Sequence, residues 1–231
     1  MDVSDIIKQV RWCVDEESGV NDYEDVYFDN IVKAKIGAAL RWCALYADAV
    51  LLNGNNSASS TSGDGGMTHD YTVGASPGDY PYLENGFIIL PLDTVRVSRI
   101  KVAGWHKGVS TFISEDSDEY LQQYDGLGSE ATNDRPVAAL IQTTPLKIQP
   151  FPAPTAGATI EVSLIQSPSD SDVIQTRTEG GSSVEYVNVP PKLSSAFTYY
   201  LAYLVMCAHN DTTKASSMLQ IAKEQIAANT K

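Results

Sequence analysis

Asp29 to Leu52 reads DNIVKAKIGAALRWCALYADAVLL, the longest apolar-rich run in the chain without a proline. Val32, Ile36, Ala39, Leu40, Cys43, Ala47 and Val50 fall at helical spacing. Ile31, Ala38, Trp42, Leu45, Ala49 and Leu52 make a second apolar face beside the first, and Lys33, Arg41 and Asp48 share one narrow polar stripe. A helix apolar nearly all round is a buried helix with neighbours on several sides. The spacing therefore predicts one helix over 29–52, roughly 36 Å long at about 1.5 Å per residue, around which the rest of the chain is arranged. Asp29 suits its N-cap, because a carboxylate there accepts free N–H groups of the first turn. Asn53-Gly54-Asn55-Asn56 suits its end, since Gly and Asn tolerate a left-handed cap.

Short helices are predicted on either side. In residues 2–14 Ile6, Ile7, Val10, Cys13 and Val14 share a face, with Ser4 or Asp2 as cap. Asp15 to Asp25 reads as a solvated acidic loop, because the alternating-ligand pattern of a calcium loop is missing. After Pro190-Pro191, Leu193, Ala196, Phe197, Tyr200, Leu201, Leu204, Val205 and Ala208 repeat at i, i+3, i+4, i+7. This helix is expected to lie on the 29–52 helix. Asn210 to Thr213 then supply a turn and a cap for a last helix over about 214–228, with Ala215, Met218, Leu219, Ala222 and Ile226 on one face.

The middle differs. Residues 53–66, NGNNSASSTSGDGG, are low in complexity and cannot bury enough apolar area to hold one conformation alone. Tyr71, Tyr80 and Tyr82 follow in a glycine-containing stretch that reads as a loop, or as an extended arm onto a neighbouring chain. From 86 to 166 six short apolar runs, FIILPL, VRVSRIKV, VSTFIS, PVAALIQT, PLKIQPF and ATIEVSLI, come mostly about ten residues apart, the spacing of an antiparallel sheet or sandwich. Residues 115–126 read as one or two helical turns, and 167–190 as a polar loop with room for a short hairpin. The fold class is thus α+β. Residues 1–52 and 191–231 form a helical body, 53–85 a linker and Tyr-rich arm, and 86–190 an inserted β-domain.

Charge and composition narrow the function. The chain carries −13 over 231 residues, with −5 in 1–52, −10 in 53–191 and +2 in 192–231. A nucleic-acid grip needs a basic footprint, which this chain lacks. No N-terminal basic-then-apolar segment and no long uncharged apolar run is present, so a soluble protein without a membrane span is expected. Cys13, Cys43 and Cys207 are odd in number and widely spaced, which suits core residues better than disulfides or zinc. His69, His106 and His209 each stand alone. There is no nucleophile elbow, no P-loop and no dinucleotide turn. Glu115, Asp116, Asp118 and Glu119 have no partner motif and read as a solvated charge run. No catalytic, cofactor-binding or metal residue is assigned, and no enzyme is expected.

Three segments resemble one family. DVSDIIKQVRWCVDEES followed by DNIVKAKIGAALRW is similar to the opening of head-to-tail connector proteins of tailed bacteriophages. Leu90-Pro91-x-Asp93, Gly104-Trp105, Glu115 to Tyr120 and Arg135-Pro136-Val137 resemble the β-insertion of adaptor ring proteins of short-tailed phages, including the crAss-like group. PPKLSSAFTYYLAYLVMCAHNDTTKASSMLQIAKEQI resembles the closing helix pair. The resemblance implies a ring homo-oligomer, usually a dodecamer, in the virion neck, assembled in the bacterial cytoplasm. It would join the portal protein to the next tail or ring protein and extend the DNA channel; the net charge of −13 adds the expectation of an acidic lining past which duplex DNA slides without specific binding. The C-terminal helix, through Lys214, Met218, Ile221, Lys223, Ile226 and Lys231, is then the expected portal-docking element, and Tyr71, Tyr80 and Tyr82 the inter-subunit arm. Two rivals stand beside this. One is a β-domain that binds a glycan or another tail protein through Tyr71, Tyr80, Tyr82, Trp105 and Tyr120. The other is an enzyme using the carboxylates at 115–119.

Overall fold

The computed structural model describes residues 1–14, 22–52, 67–77, 79–126, 128, 130–167 and 173–229. In chain order it has helices α1 (Val3–Val14), α2 (Asp22–Tyr46) and α3 (Ala49–Leu52). Strands β1 (Thr68–Thr72), β2 (Tyr82–Glu84), β3 (Phe87–Ile89), β4 (Thr94–Val102) and β5 (Ile113–Ser114) follow, then α4 (Asp118–Gln122). Next come β6 (Val137–Ile141), β7 (Lys147–Phe151), β8 (Ile160–Gln166), β9 (Gln175–Glu179) and β10 (Ser182–Tyr186). A 3-10 turn (Pro191–Leu193), α5 (Ser194–Ala208) and α6 (Thr212–Asn229) close the chain. These divide into two compact units, one of residues 1–67 with 167–231 and one of residues 68–166. The class is α+β, with N- and C-terminal helices packed together and sheets inserted between them in sequence. No described helix is long and apolar enough to cross a membrane.

In the helical unit the hub is α5, not the 29–52 stretch. Helices α1, α2 and α6 and the 3-10 turn all pack on it. Its buried residues Ala196, Phe197, Thr198, Leu201, Ala202, Val205 and Met206 cover most of its circumference. Even Thr198 is satisfied there: its hydroxyl donates to the Ser194 carbonyl at 2.9 Å and lies 3.1 Å from Gln9 Oε1. Trp42 of α2 stacks on Tyr200 of α5, with ring centroids 4.1 Å apart and planes 7° from parallel.

The predicted 29–52 helix is corrected at both ends. Helix α2 begins at Asp22, so Asp29 is not a cap but a mid-helix residue paired with Arg11 at 2.8 Å. Buried Phe28 extends the inward face of α2 by a further turn, which carries the helix upstream. Residues 15–21 of the expected acidic loop lie outside the described residues. At the other end the chain breaks after Tyr46. The Asp48 carbonyl accepts from the N–H groups of Leu51 (2.9 Å) and Leu52 (3.2 Å), opening α3. Aspartate favours helix starts over helix interiors, and the break lets α3 pack on the 3-10 turn with Leu51 and Leu52 buried. Of the two caps weighed for α1, Asp2 holds the position by its carbonyl, while its carboxylate takes Arg177 at 3.1 Å. Asp211 caps α6 by accepting from the Lys214 N–H at 3.0 Å.

In the β unit, β1, β8 and β4 make one antiparallel sheet in that order. The second sheet runs β2-β3-β7-β6-β5 and is antiparallel except for the β5-β6 pair. Ile88 and Ile148 of the larger sheet share one core with Val97, Ile100, Val102, Ile160, Val162 and Leu164 of the smaller. The two sheets therefore face each other, and alternate residues point outward from each. All six expected runs contain strands. Two further strands, β1 and β2, lie within 53–85, so part of the expected arm is sheet. The β9–β10 hairpin groups with the helical unit rather than the inserted one. Its anchor is the start of the chain: Met1 and Val187 exchange two backbone hydrogen bonds, at 2.7 and 2.8 Å.

Candidate contact surfaces

Large apolar side chains that stay in water are the first clue to what a surface does. In the helical unit these are Trp12 (77% exposed), Val26, Tyr27, Leu45 and Tyr46. On α2 the exposed residues Tyr27, Asn30, Ala34, Arg41 and Leu45 recur at intervals of three, four and seven, so they form a single stripe. Gly37 and Ala38 beside it are half-buried. The stripe is mostly apolar or small, with Asn30 and Arg41 as its polar members. At its C-terminal end an aromatic run, Tyr46, Trp42, Tyr200 and Tyr203, crosses from α2 to α5 with successive centroids 5.5, 4.1 and 5.2 Å apart. Exposed Cys207, the neighbour of Tyr203 one turn on, raises its phenol pKa above the usual value. Burial raises that of Tyr200.

The described residues predicted to dock a portal lie on α6 and differ in exposure. Lys214 reaches the Val14 carbonyl at 3.3 Å, tying α6 to the end of α1. Met218 and Ile221 are half-buried and Lys223 is exposed. Ile226 is buried against the helical core at 9% exposure, because α6 leans on α5 along Ala215, Ala222 and Ile226. It is not free to meet a partner, which corrects its place in the predicted surface. Lys231 lies outside the described residues.

The Tyr-rich arm is corrected in two of its three residues. Tyr71 sits in β1 opposite Val162, its hydroxyl donating to Gln166 at 2.6 Å. Tyr82 is in β2 and only 8% exposed. Both are sheet residues fixed within their own unit. Tyr80 remains 45% exposed, edge-on to Tyr82 with centroids 5.1 Å apart. The glycan reading loses Trp105, which is buried in the sandwich core at 5% exposure. Gly104 makes that burial possible, since its φ of +98° turns the chain back after β4.

The carboxylates at 115–119 lie on a small, firmly held turn. Ser117 caps α4 by accepting from the Tyr120 N–H at 3.2 Å. Tyr120 and Tyr124 then lie edge-on to Phe151 of β7. The Gln149 side chain is held between them, accepting from Tyr120 at 2.7 Å and donating to Tyr124 at 2.8 Å. Burial, followed by the hydrogen bond from Tyr124, pushes the Tyr120 phenol up to about 12. Asp116, Asp118 and Glu119 point into water, and Glu115 is half-buried.

On the outer face of the smaller sheet, cross-strand neighbours form two rows. Asp70, Ser163 and Arg99 make one, and Thr72, Glu161 and Lys101 the other. They line a polar depression of about 290 Å³. Ser163 donates to Asp70 at 2.5 Å. Sequence reasoning missed this feature, because its members come from three strands of which one was not expected. Of the histidines, exposed His106 pairs with Asp134 at 2.5 Å, and His209 caps α5 while stacking on Phe28. Among the described residues no three His, Cys, Asp or Glu side chains converge as a metal set.

Neither a family model nor a curated protein matches this chain.

Proposed function

We propose that this chain is a structural subunit of a phage neck: copies associate into a ring, dodecameric by resemblance, that joins the portal to the next tail component and extends the DNA channel. The reading rests on the resemblance of its three segments. The observation that carries it furthest is the exposed apolar stripe of α2, continued by Tyr46 and accompanied by Trp12. Leaving such side chains in water is unfavourable at about 25 cal/mol per Å², and a neighbouring subunit removes that cost. Small residues in and beside the middle of the stripe, Ala34 with Gly37 and Ala38, allow another element to approach closely. The chain acts by contact, and DNA passes it without being read.

Mass photometry and negative-stain imaging, with and without purified portal protein, test the proposal. Rings, alone or on the portal, are expected. A chain that remains monomeric at high concentration and in the presence of portal overturns it. A monomer that binds immobilised glycans would instead favour the binding-module reading.

A further inference from the structure

A strand at the rim of a sheet presents unpaired backbone N–H and C=O groups, and folded proteins blunt or cover them. Most rims of this chain are covered or blunted. The outer side of β4 carries register shifts between Thr94 and Arg96 and between Val97 and Arg99, and its Ile100 exchanges hydrogen bonds with Val109 at 2.8 Å. β2 is joined to Gly74, which donates to the Pro81 carbonyl and accepts from the Leu83 N–H. β10 is followed by Val187, which bonds Met1, and β5 is only two residues long.

Among the described residues two five-residue strands keep an open rim, β1 and β9. The Val73 N–H bonds the Ile160 carbonyl at 2.9 Å, so by alternation His69 and Tyr71 turn their backbone groups toward β8, and Thr68, Asp70 and Thr72 turn theirs away. On β9 the Gly180-Gly181 turn, with φ of 56° and 85°, closes the hairpin on the Glu179–Ser182 pair. Arg177 and Gln175 then bond β10, and Thr176 and Thr178 turn their backbone groups outward. No described residue takes up the outward backbone groups of Asp70, Thr72, Thr176 or Thr178, and all four residues are exposed. Neither strand has a bulge, a proline or a lysine to guard it.

We propose that the β1 rim of one copy pairs antiparallel with the β9 rim of a second copy, continuing the sheet across the subunit boundary. Charge selects this pairing over its alternatives. Joining β1 to β1 over its full length would set Asp70 opposite Asp70, and joining β9 to β9 would set Arg177 opposite Arg177, both unfavourable. β1 against β9 has neither defect. With Asp70 across from Thr178, Thr72 falls across from Thr176 and Tyr71 across from Arg177, so each outward pair joins a hydroxyl to a carboxylate or to another hydroxyl. β1 and β9 belong to different units of the chain. Their pairing is therefore heterologous, the kind that closes into a ring when the rotation per copy permits, whereas either self-pairing stops at two copies. The inference rests on the ring reading and adds to it the strands that meet and the order in which they meet.

Proline tests it, because it removes an outward N–H at a position where a rim strand tolerates the ring. Thr72→Pro and Thr178→Pro are each expected to weaken self-association at least about tenfold, while thermal melts show folded protein. A charge series serves should proline disturb a strand. Thr178→Asp sets a carboxylate against Asp70 of the neighbour and is expected to weaken association about tenfold. Thr178→Lys is expected to leave it at least as strong, and the chain carrying both Asp70→Lys and Thr178→Asp to recover it. Self-association of a folded proline variant at wild-type strength overturns the inference, as does a Thr178→Lys chain weakened as much as Thr178→Asp. Loss of portal binding with self-association intact also overturns it and assigns the rims to the portal instead. In each of these the wild-type ring still stands; if the wild-type chain itself forms no ring, with or without portal, the ring reading fails too.

Discussion

The Arg11 guanidinium of α1 lies 2.8 Å from the Asp29 carboxylate of α2. It also sits over the Phe28 ring at 4.4 Å from the centroid, and His209 stacks on that ring with centroids 6.3 Å apart. One cation thus joins α1 to α2 where α5 ends. The Arg11 side chain is only 10% exposed, so loss of its carboxylate partner is felt more than at a surface pair. Asp29→Ala is expected to lower stability by about 1–3 kcal/mol, read from urea denaturation. Arg11→Lys keeps the charge but loses the planar stack on Phe28, and a smaller loss is expected.

Phe197 and Leu45 separate folding from assembly. Phe197 is fully buried in the hub helix, and Leu45 is 57% exposed on the stripe of α2. Phe197→Ala is expected to cost about 3–5 kcal/mol through the cavity it leaves. Leu45→Ser is expected to change stability by about 0.5 kcal/mol or less yet weaken self-association. Paired denaturation and mass measurements check both. Self-association of folded Leu45→Ser at wild-type strength would remove the stripe from the interface.

The three cysteines are expected to react in an order set by burial. Burial pushes the Cys43 thiol up to about 12, and raises Cys13 to a lesser degree, while Cys207 is exposed on α5. Only the thiolate is nucleophilic. A chromogenic disulfide reagent is therefore expected to modify Cys207 first, Cys13 slowly, and Cys43 only after denaturant is added. Peptide mapping of the partially labelled protein gives the order directly.

Tyr120 predicts the alkaline limit of the β unit. Its phenol ionises near 10 in the unfolded chain and near 12 in the fold, chiefly because of burial. The folded state therefore keeps a proton that the unfolded state has lost. The stability this contributes is complete below pH 10 and is lost as pH rises through about 12. Urea midpoints measured across that window are expected to fall for the wild-type chain. Those of Tyr120→Phe, which lacks the titrating group, are expected to fall less steeply.

Much of the fold was legible where a single element suffices to read it. The i, i+3, i+4, i+7 repeat of 193–208 marked α5, and the apolar runs between 86 and 166 marked six strands. Two features had a local signal that was passed over. Asn85-Gly86, with φ of 52° and 84°, is the tight turn between β2 and β3, and Asn-Gly between apolar runs is a hairpin signature. Asp48 interrupts the 29–52 pattern with a residue suited to a helix start. Other features had no local signal. Nothing in HDYT announces a strand, since β1 gains its place by pairing with β8, far along the chain.

The sequence by itself determined the order of helix, sheet and helix, and which face of each element is apolar, because both follow from the spacing of residues along a short segment. Only the tertiary structure decided that α5 rather than 29–52 is surrounded, that Ile226 and Trp105 are covered while Leu45 is not, and that Asp70, Ser163 and Arg99 share one row of a sheet. Periodicity names the side of an element that leaves water. How many neighbours cover that side, and which charges share a surface, depend on residues brought together from distant positions, and no local pattern encodes that.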